Sequence, residues 1–267
     1  MAPLSPAALL DDLRAEHDAL DGRVAHLDAD GWTTPTPADG WTVADSISHL
    51  AFFDRSAVLA LTDADAFTAH LGELARASGA DPDVALARTG DHRGLLQGWR
   101  AGRAELLAAA TTADPTARVP WYGPAMGFAS FVSARLMETW AHGQDVADAL
   151  GLPPVTSDRL RHVCHLGVAA RAYSFRVRGL TDPGDPVRVE AIPPGGGEAW
   201  TWGPHDAADR VTGSALDLAL VLTQRRNRAD TDITVDGPTA EAWLAVAQAF
   251  AGPAGPGRPP ARSTSGQ

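Results

Sequence analysis

Apolar residues recur at helical spacing through the first part of the chain, up to about residue 180. Loops rich in glycine, proline and aspartate separate these stretches, and residues 63–90 form a helical segment of lower regularity. The pattern predicts five main helices, which run from Pro6 to about Asp30, from the N-cap Thr42 to about Leu61, over Arg93–Ala110, over Phe128–Leu150 and from Ser157 to about Arg178. We therefore expect a helix bundle.

The pattern changes after Gly179. The segment PVRVEAI alternates apolar and polar residues, GEAWTWG can pair with it across the PPGGG turn, and DITVDG is a further short strand. Helical patterns at Ser214–Gln224 and Thr239–Phe250 alternate with these strands. We expect three regions: a helical bundle over 1–179, a small α+β domain over 180–252 and a disordered tail over 253–267, which lacks bulky apolar residues.

Composition narrows the class of protein. The 267 residues are 45% hydrophobic, enough for a sizeable core, and the formal net charge of −11 argues against general affinity for nucleic acid or anionic membranes. The single cysteine, Cys164, excludes an internal disulfide and suits a reducing cytoplasm. The first twenty residues carry acidic side chains where a signal peptide needs a basic and then an apolar segment. We expect a soluble cytoplasmic protein.

Candidate metal chemistry lies in the phrase RLMETWAHGQDVADAL. Glu138 and His142 are four residues apart, which places them one turn apart on the same helix face. His49 lies in the second amphipathic helix. Two imidazoles and one carboxylate can bind a divalent ion and leave positions open for water or substrate. The spacing alone more often indicates a solvated i, i+4 pair, or a hydrogen-bonded core histidine, than a metal site.

Asp145 follows His142 by three residues, where it can orient the imidazole or its bound water. Its alternative role is that of a surface charge beside Asp148. Trp121 and Tyr122 precede the fourth helix and can line the mouth of a pocket, although ordinary loop packing is as good an interpretation.

Other candidate groups fit structural roles better. His162 and His165 are spaced for a metal, but their helix is needed for packing, and Cys164 between them resembles a buried small hydrophobe. Ser130 and Ser133 have no triad partners in the sequence, and the phrases GEAWTWG and PPGGG lack the strand–loop–helix context of a nucleotide site. The remaining histidines are predicted to lie on the surface: His17, His26, His70, His92 and His205.

The phrases GWTVADSISHLAFFD and ARLMETWAHGQDVADALG resemble the N-terminal domain of the mycothiol-dependent maleylpyruvate isomerases, in the DinB-like superfamily of metal-binding bundles. The phrases VPWYGPAM and TQRRNRAD resemble an actinobacterial branch of metal-binding proteins, and the resemblance spans about residues 7–258. It implies an antiparallel DinB-like four-helix bundle with extra helices, followed by a small α/β domain of sterol-carrier-like type. It also implies His49, Glu138 and His142 as metal ligands.

In the isomerases an arginine of the C-terminal domain reaches toward the active site, and the resemblance implies Arg225 or Arg226 here, within QRRNRAD. An arginine can bind a substrate carboxylate in a bidentate manner. The alternative is that these arginines offset the dipole at a helix C-terminus.

The function implied is that of a metal-dependent isomerase or S-transferase that uses mycothiol on a small electrophilic, carboxylated molecule. Zinc is the expected metal, with nickel, iron or cobalt as alternatives. Two other classes stay open: a thiol-independent metal enzyme of secondary metabolism, and a non-catalytic metal- or ligand-binding module. The expected partners are a small substrate and a low-molecular-weight thiol, and the chain is expected to be a monomer or homodimer.

Overall fold

The computed structural model describes residues 5–76 and 81–261. The chain divides into two compact units, one up to Val155 and one from Thr156 onward, and each is described by itself. No helix among the described residues has the length and apolar character needed to cross a bilayer.

The first unit is helical. Its helices are α1 Pro6–Val24, α2 Ala29–Thr33, α3 Val43–Thr62, α4 Ala64–Arg76, α5 His92–Thr112 and α6 Phe128–Ala149. Two-residue strands β1 (Arg118–Val119) and β2 (Met126–Gly127) pair antiparallel immediately before α6. The long helices of the sequence prediction are therefore present, although α1 ends earlier than the expected Asp30.

Four long helices form the core of this unit. Helix α1 packs against α5 and α6, and α3 packs against the same two helices. Ile47, Leu50 and Trp99 are among the completely buried side chains, and each follows the helical spacing visible in the sequence. The expected four-helix packing is thus present, whereas its DinB-like and antiparallel character stays a prediction.

The second unit combines helices with a four-stranded mixed sheet. Its helices are α7 Leu160–Ala169, α8 Arg171–Arg176, α9 Ala215–Leu222 and α10 Pro238–Leu244. Its strands are β3 Val187–Ile192, β4 Trp200–Trp202, β5 Asp209–Ser214 and β6 Thr234–Asp236, in the spatial order β4-β3-β5-β6. Strand β3 pairs antiparallel with β4, as expected across the PPGGG turn, and parallel with β5. The sterol-carrier-like assignment stays a prediction.

The division between the units differs from the boundary expected near residue 179. Helix α7 packs against α9, and a Cβ added to Gly167 would lie 2.6 Å from the Leu222 side chain, so only glycine permits this approach. Val155 belongs to the first unit because its carbonyl accepts a hydrogen bond from Trp140 of α6 at 3.0 Å. The predicted fifth helix is split at Ala170 into α7 and α8.

Strand β5 is absent from the sequence prediction although it lies at the centre of the sheet. Its sequence, DRVTGS, offers a single large apolar residue, Val211, and contains a buried aspartate. Asp209 is retained there because its carboxylate accepts a hydrogen bond from the Ala240 backbone amide at 2.8 Å, at the start of α10. The strand is specified by its neighbours on both sides, which local alternation does not reveal.

The expected disordered tail is partly ordered. Within the described residues 253–261, the Arg258 carbonyl accepts a hydrogen bond from Asn227, and the Ala261 amide donates to Asp230. These backbone hydrogen bonds hold the segment without bulky apolar side chains. Residues 262–267 of the predicted tail lie outside the described part of the chain.

Candidate metal centre

Helices α3 and α6 bring His49, Glu138 and His142 together. Helix α3 begins with a capping box, in which Thr42 accepts from the Asp45 amide and Asp45 accepts from the Thr42 amide. His49 lies near the middle of α3, and Glu138 and His142 lie one turn apart on α6. The Glu138 Oε2 atom is 3.6 Å from His142 Nε2 and 4.0 Å from His49 Nε2.

This arrangement fits a metal ion. One donor atom from each of the three residues lies within 4.8 Å of the other two. Zinc bonds of about 2.1 Å in a tetrahedron place neighbouring donor atoms about 3.4 Å apart, so small side-chain movements suffice to close the site. The three residues can therefore hold a metal ion and leave coordination positions for other ligands.

Glu138 supplies the negative charge of the trio formed by His49, Glu138 and His142. Burial of its carboxyl opposes ionisation, but the close approach of the His142 ring and the electrostatic effects of His142, His49 and Arg135 outweigh burial and lower the pKa of Glu138 to about 2. The carboxyl group is therefore ionised at neutral pH, the state in which a carboxylate binds a metal.

Asp83 orients His49, and sequence reasoning missed it. His49 Nδ1 lies 2.8 Å from Asp83 Oδ2, which directs Nε2 toward Glu138. Ser48 donates a hydrogen bond to the Asp83 carbonyl at 2.8 Å, so the aspartate is attached to α3 through both its backbone and its side chain. A carboxylate on the far nitrogen of a ligating histidine fixes the tautomer and the ring orientation. Asp83 lies in the irregular stretch after α4, where no periodicity indicates its position.

Asp145, which the sequence analysis selected for this role on His142, is placed less favourably. Its Oδ2 atom is 3.7 Å from His142 Nδ1, beyond hydrogen-bonding distance. Asp145 is nevertheless buried, so the alternative interpretation as a surface charge is wrong. Its orienting role stays a prediction.

Aromatic rings enclose the trio. Trp41 stacks on His142 with ring centroids 5.7 Å apart and lies 5.3 Å from the His49 ring, while Phe53 lies 4.6 Å from the His49 ring. Trp41 directly precedes the Thr42 cap, so the start of α3 places it at the site. Such walls restrict water around the donor atoms and strengthen electrostatic interactions there.

Trp121 and Tyr122 contact the metal-site residues indirectly, through the ring of Phe53. Their rings lie 6.2 and 5.1 Å from Phe53, which itself contacts His49. The Tyr122 hydroxyl donates a hydrogen bond to Ser56 Oγ at 3.0 Å and lies 3.3 Å from Nε2 of His70. His70 is therefore not a plain surface residue. The predicted cofactor-binding role of Trp121 and Tyr122 stays a prediction.

Further ionisable groups are buried in the first unit. Arg135 donates two hydrogen bonds to Asp54, at 2.9 and 3.2 Å, and both side chains are buried. His17 is only 1% exposed, so its assignment to the surface is wrong. Burial, which outweighs the opposing effect of Asp54, lowers the pKa of His17 to about 4. Neither ring nitrogen has a hydrogen-bond partner in the part of the chain that the structure describes.

The predicted substrate arginines belong to the second unit. Arg225 donates a hydrogen bond to the Thr223 carbonyl at 2.8 Å and its guanidinium lies over the Phe250 ring. The contact with Thr223 agrees with the helix C-terminal interpretation, because Thr223 caps α9. Arg226 lines a cavity of this unit. The role predicted for either residue at the metal centre stays a prediction.

Cys164 is buried in α7, where its Sγ donates to the Ala215 carbonyl at 3.4 Å and burial raises the pKa of the thiol. It therefore behaves as the packing residue that the sequence predicted. His165 accepts a hydrogen bond from the Trp202 indole at 3.1 Å, and no metal-ligand cluster within the described ranges includes it.

The fold and the trio define a helical protein with a two-histidine, one-glutamate candidate metal centre. Residues 2–147 match the model of the mycothiol maleylpyruvate isomerase N-terminal domain, and the chain belongs to that family. This match covers all three residues of the trio, and it confirms the resemblance carried by the HLAFFD and METWAHGQD phrases.

Two proteins of Mycobacterium tuberculosis, from strains CDC 1551 and H37Rv, are each 48% identical to this chain over 260 residues. The match covers 95% of this chain and 99% of each relative, and both relatives are described as uncharacterized. Two crystal structures of the mycothiol-dependent maleylpyruvate isomerase, one of them a point mutant, share the fold. Their TM-scores are 0.58 and 0.57, with 15% and 16% identity, and each match covers 89% of this chain and 96% of theirs.

Proposed function

We propose that this protein is a metal-dependent enzyme that uses mycothiol to isomerise, or to transfer a thiol to, a small electrophilic and carboxylated molecule. The observation that carries the proposal is the convergence of His49, Glu138 and His142, whose donor atoms lie within 4.8 Å of one another. Membership of the isomerase-domain family supports the thiol, and the donor set of two nitrogens and one oxygen favours zinc over nickel, iron or cobalt.

Each residue of the site has a physical role in this proposal. His49 and His142 offer ring nitrogens, and Glu138 offers a charged oxygen, so that three positions of a metal shell come from the protein. When bound, zinc lowers the pKa of a coordinated thiol, so that the nucleophilic thiolate is present at neutral pH.

The residues around the trio complete the proposed site. Asp83 holds His49 in the orientation that turns Nε2 toward the other donors. Trp41 and Phe53 limit access of water to a nucleophile formed between them. Addition of the thiolate to an activated double bond, rotation about the resulting single bond and loss of the same thiolate would give isomerisation, whereas protonation of the adduct by solvent would give transfer.

The test replaces the metal by Co(II) and follows the visible spectrum during addition of mycothiol. Direct sulfur coordination is expected to produce a sulfur-to-cobalt charge-transfer band with wild-type protein and with the exposed-histidine control His26→Ala. The His49→Ala variant is expected to show no such band. Turnover of maleylpyruvate and of related carboxylated electrophiles is then measured with and without mycothiol, and dependence on the thiol is expected.

The outcomes separate the candidate classes. A Co(II) protein whose spectrum is unchanged by mycothiol, glutathione and cysteine contradicts the thiol-dependent function. Turnover without thiol would then indicate a thiol-independent metal enzyme, and bound metal without turnover of any electrophile would indicate a binding module.

A further inference from the structure

The second unit contains a cavity of about 400 Å³ whose charged lining is almost entirely cationic. Four arginines line it, Arg178, Arg226, Arg228 and Arg258, together with one acidic residue, Glu241. The chain as a whole carries a net charge of −11 and owes all its fixed positive charge to 22 arginines. A local concentration of four of them around one cavity is therefore opposite in sign to the rest of the protein.

The positive charge of this cavity is incompletely neutralised by the protein. Arg228 donates to Glu241 at 2.6 Å, which accounts for the single carboxylate. Arg178 bonds to neutral oxygens, with the Gly255 carbonyl at 3.0 Å as its shortest contact. No ion pair of Arg178 or Arg226 occurs within residues 5–76 and 81–261. At least two guanidinium charges thus face the cavity without a carboxylate.

The backbone around the cavity is held in place. Gln224 adopts a left-handed conformation with φ of 61°, the only described residue other than glycine with positive φ. Its side-chain amide donates to the Ala247 carbonyl at 3.0 Å, and Asn227 donates to the Arg258 carbonyl at 3.0 Å. The conformation of Gln224 ends α9 in a Schellman motif, in which the Arg225 amide donates to the Leu220 carbonyl at 2.8 Å. These hydrogen bonds fix the segments that carry Arg226 and Arg258.

We propose that this cavity binds a small molecule with at least two oxyanion groups, carboxylates or phosphates. Guanidinium groups donate paired hydrogen bonds that match the oxygens of either anion. A volume of about 400 Å³ lies in the range of small-molecule sites and accommodates such a ligand. The site consists of residues of the second unit alone and does not require the metal-centre function proposed above.

The test is isothermal titration calorimetry of the full-length protein at low ionic strength. Citrate and succinate probe carboxylates, and inorganic phosphate and pyrophosphate probe phosphates. One saturable site per chain is expected for at least one polyanion. Whichever of citrate and pyrophosphate binds with the lower Kd shows whether the site prefers carboxylates or phosphates. Arg226→Ala is expected to raise Kd at least tenfold, or about 1.4 kcal/mol, and Arg226→Lys to raise it less, because lysine keeps the charge but loses the paired geometry.

Two controls separate this site from general electrostatics and from the metal centre. Arg210→Ala removes an arginine of the same unit outside the cavity, and His142→Ala removes a candidate metal ligand; both are expected to keep Kd within twofold. Circular dichroism verifies the fold of each variant. The absence of saturable binding of all four anions at millimolar concentration, or equal losses in the folded Arg226→Ala and Arg210→Ala proteins, would overturn the proposal.

Discussion

The two compact units use ionisable side chains in opposite ways. In the first unit, close neighbours lower the pKa of Glu138 at the candidate metal centre, and burial lowers the pKa of His17. In the second unit, half-buried arginines line an open cavity. The first arrangement offers lone pairs to a cation, and the second offers N–H groups to an anion. The kind of ion that each site can bind is therefore determined by the local side chains and their burial, and not by the net charge of the chain.

The strongest test of this contrast is removal of one metal ligand. His142→Ala is expected to lower metal affinity about a hundredfold to a thousandfold, because zinc sites distribute ~10–16 kcal/mol over about four ligands, or roughly 2.5–4 kcal/mol for each. Metal content is measured by elemental analysis after dialysis, with the exposed His26→Ala as the matched control. Equal metal content in the two variants would show that the trio is not the metal site.

The stability of the protein is expected to depend on pH through His17, the buried histidine of the first unit. Unfolded His17 takes up a proton near its ordinary pKa of 6.5, but folded His17 does so only near 4. The unfolded state therefore binds more protons between these values, and stability falls as pH decreases from 6.5 to 4, by roughly 3 kcal/mol in total.

Substitution of His17 tests this directly. His17→Leu is expected to remove that contribution, so its stability should decrease less than that of wild type over this interval, while His26→Leu should behave as wild type. Urea unfolding at several pH values measures the difference. Parallel pH profiles for wild type and His17→Leu would contradict the proposed burial of a neutral imidazole.

Substitution of Asp83, whose carboxylate supports His49, is expected to lower metal affinity by a smaller factor. Asp83→Asn removes the charge and lets an amide NH₂ face Nδ1, which favours the tautomer with its proton on the metal-binding nitrogen. Metal affinity should fall by about tenfold to a hundredfold, as for other supporting carboxylates. Competition with a chromophoric chelator measures it. The control is Asp81→Asn, which changes an exposed neighbour. Equal metal affinities of the Asp83→Asn and Asp81→Asn proteins would show that Asp83 does not support the metal site.

Much of the first unit could be predicted from the chain because its signals are local. Helical spacing gives α3, α5 and α6 with ends close to those observed, since a helix satisfies its hydrogen bonds within one segment. The i, i+4 relation of Glu138 and His142 follows from the same geometry. The pairing of His49 with them was implied by family phrases rather than by spacing.

The parts that sequence reasoning missed depend on partners distant in the chain. Asp83 meets His49 from an irregular segment, Trp41 reaches His142 from the start of α3, and His17 is enclosed by other helices. No hydrophobic periodicity in the sequence indicates any of these contacts. Strand β5 likewise depends on β3 and β6 for its hydrogen bonds.

By itself, the sequence determined the helical periods, the β3–β4 hairpin and the residue types able to bind a metal, because these follow from spacing along one segment. Only the tertiary structure decided that a carboxylate supports His49, that His17 is buried with no hydrogen-bond partner among the described residues, and that several arginines share one cavity. The physical reason is that burial and electrostatic environment are properties of packed neighbours, which a linear pattern does not contain.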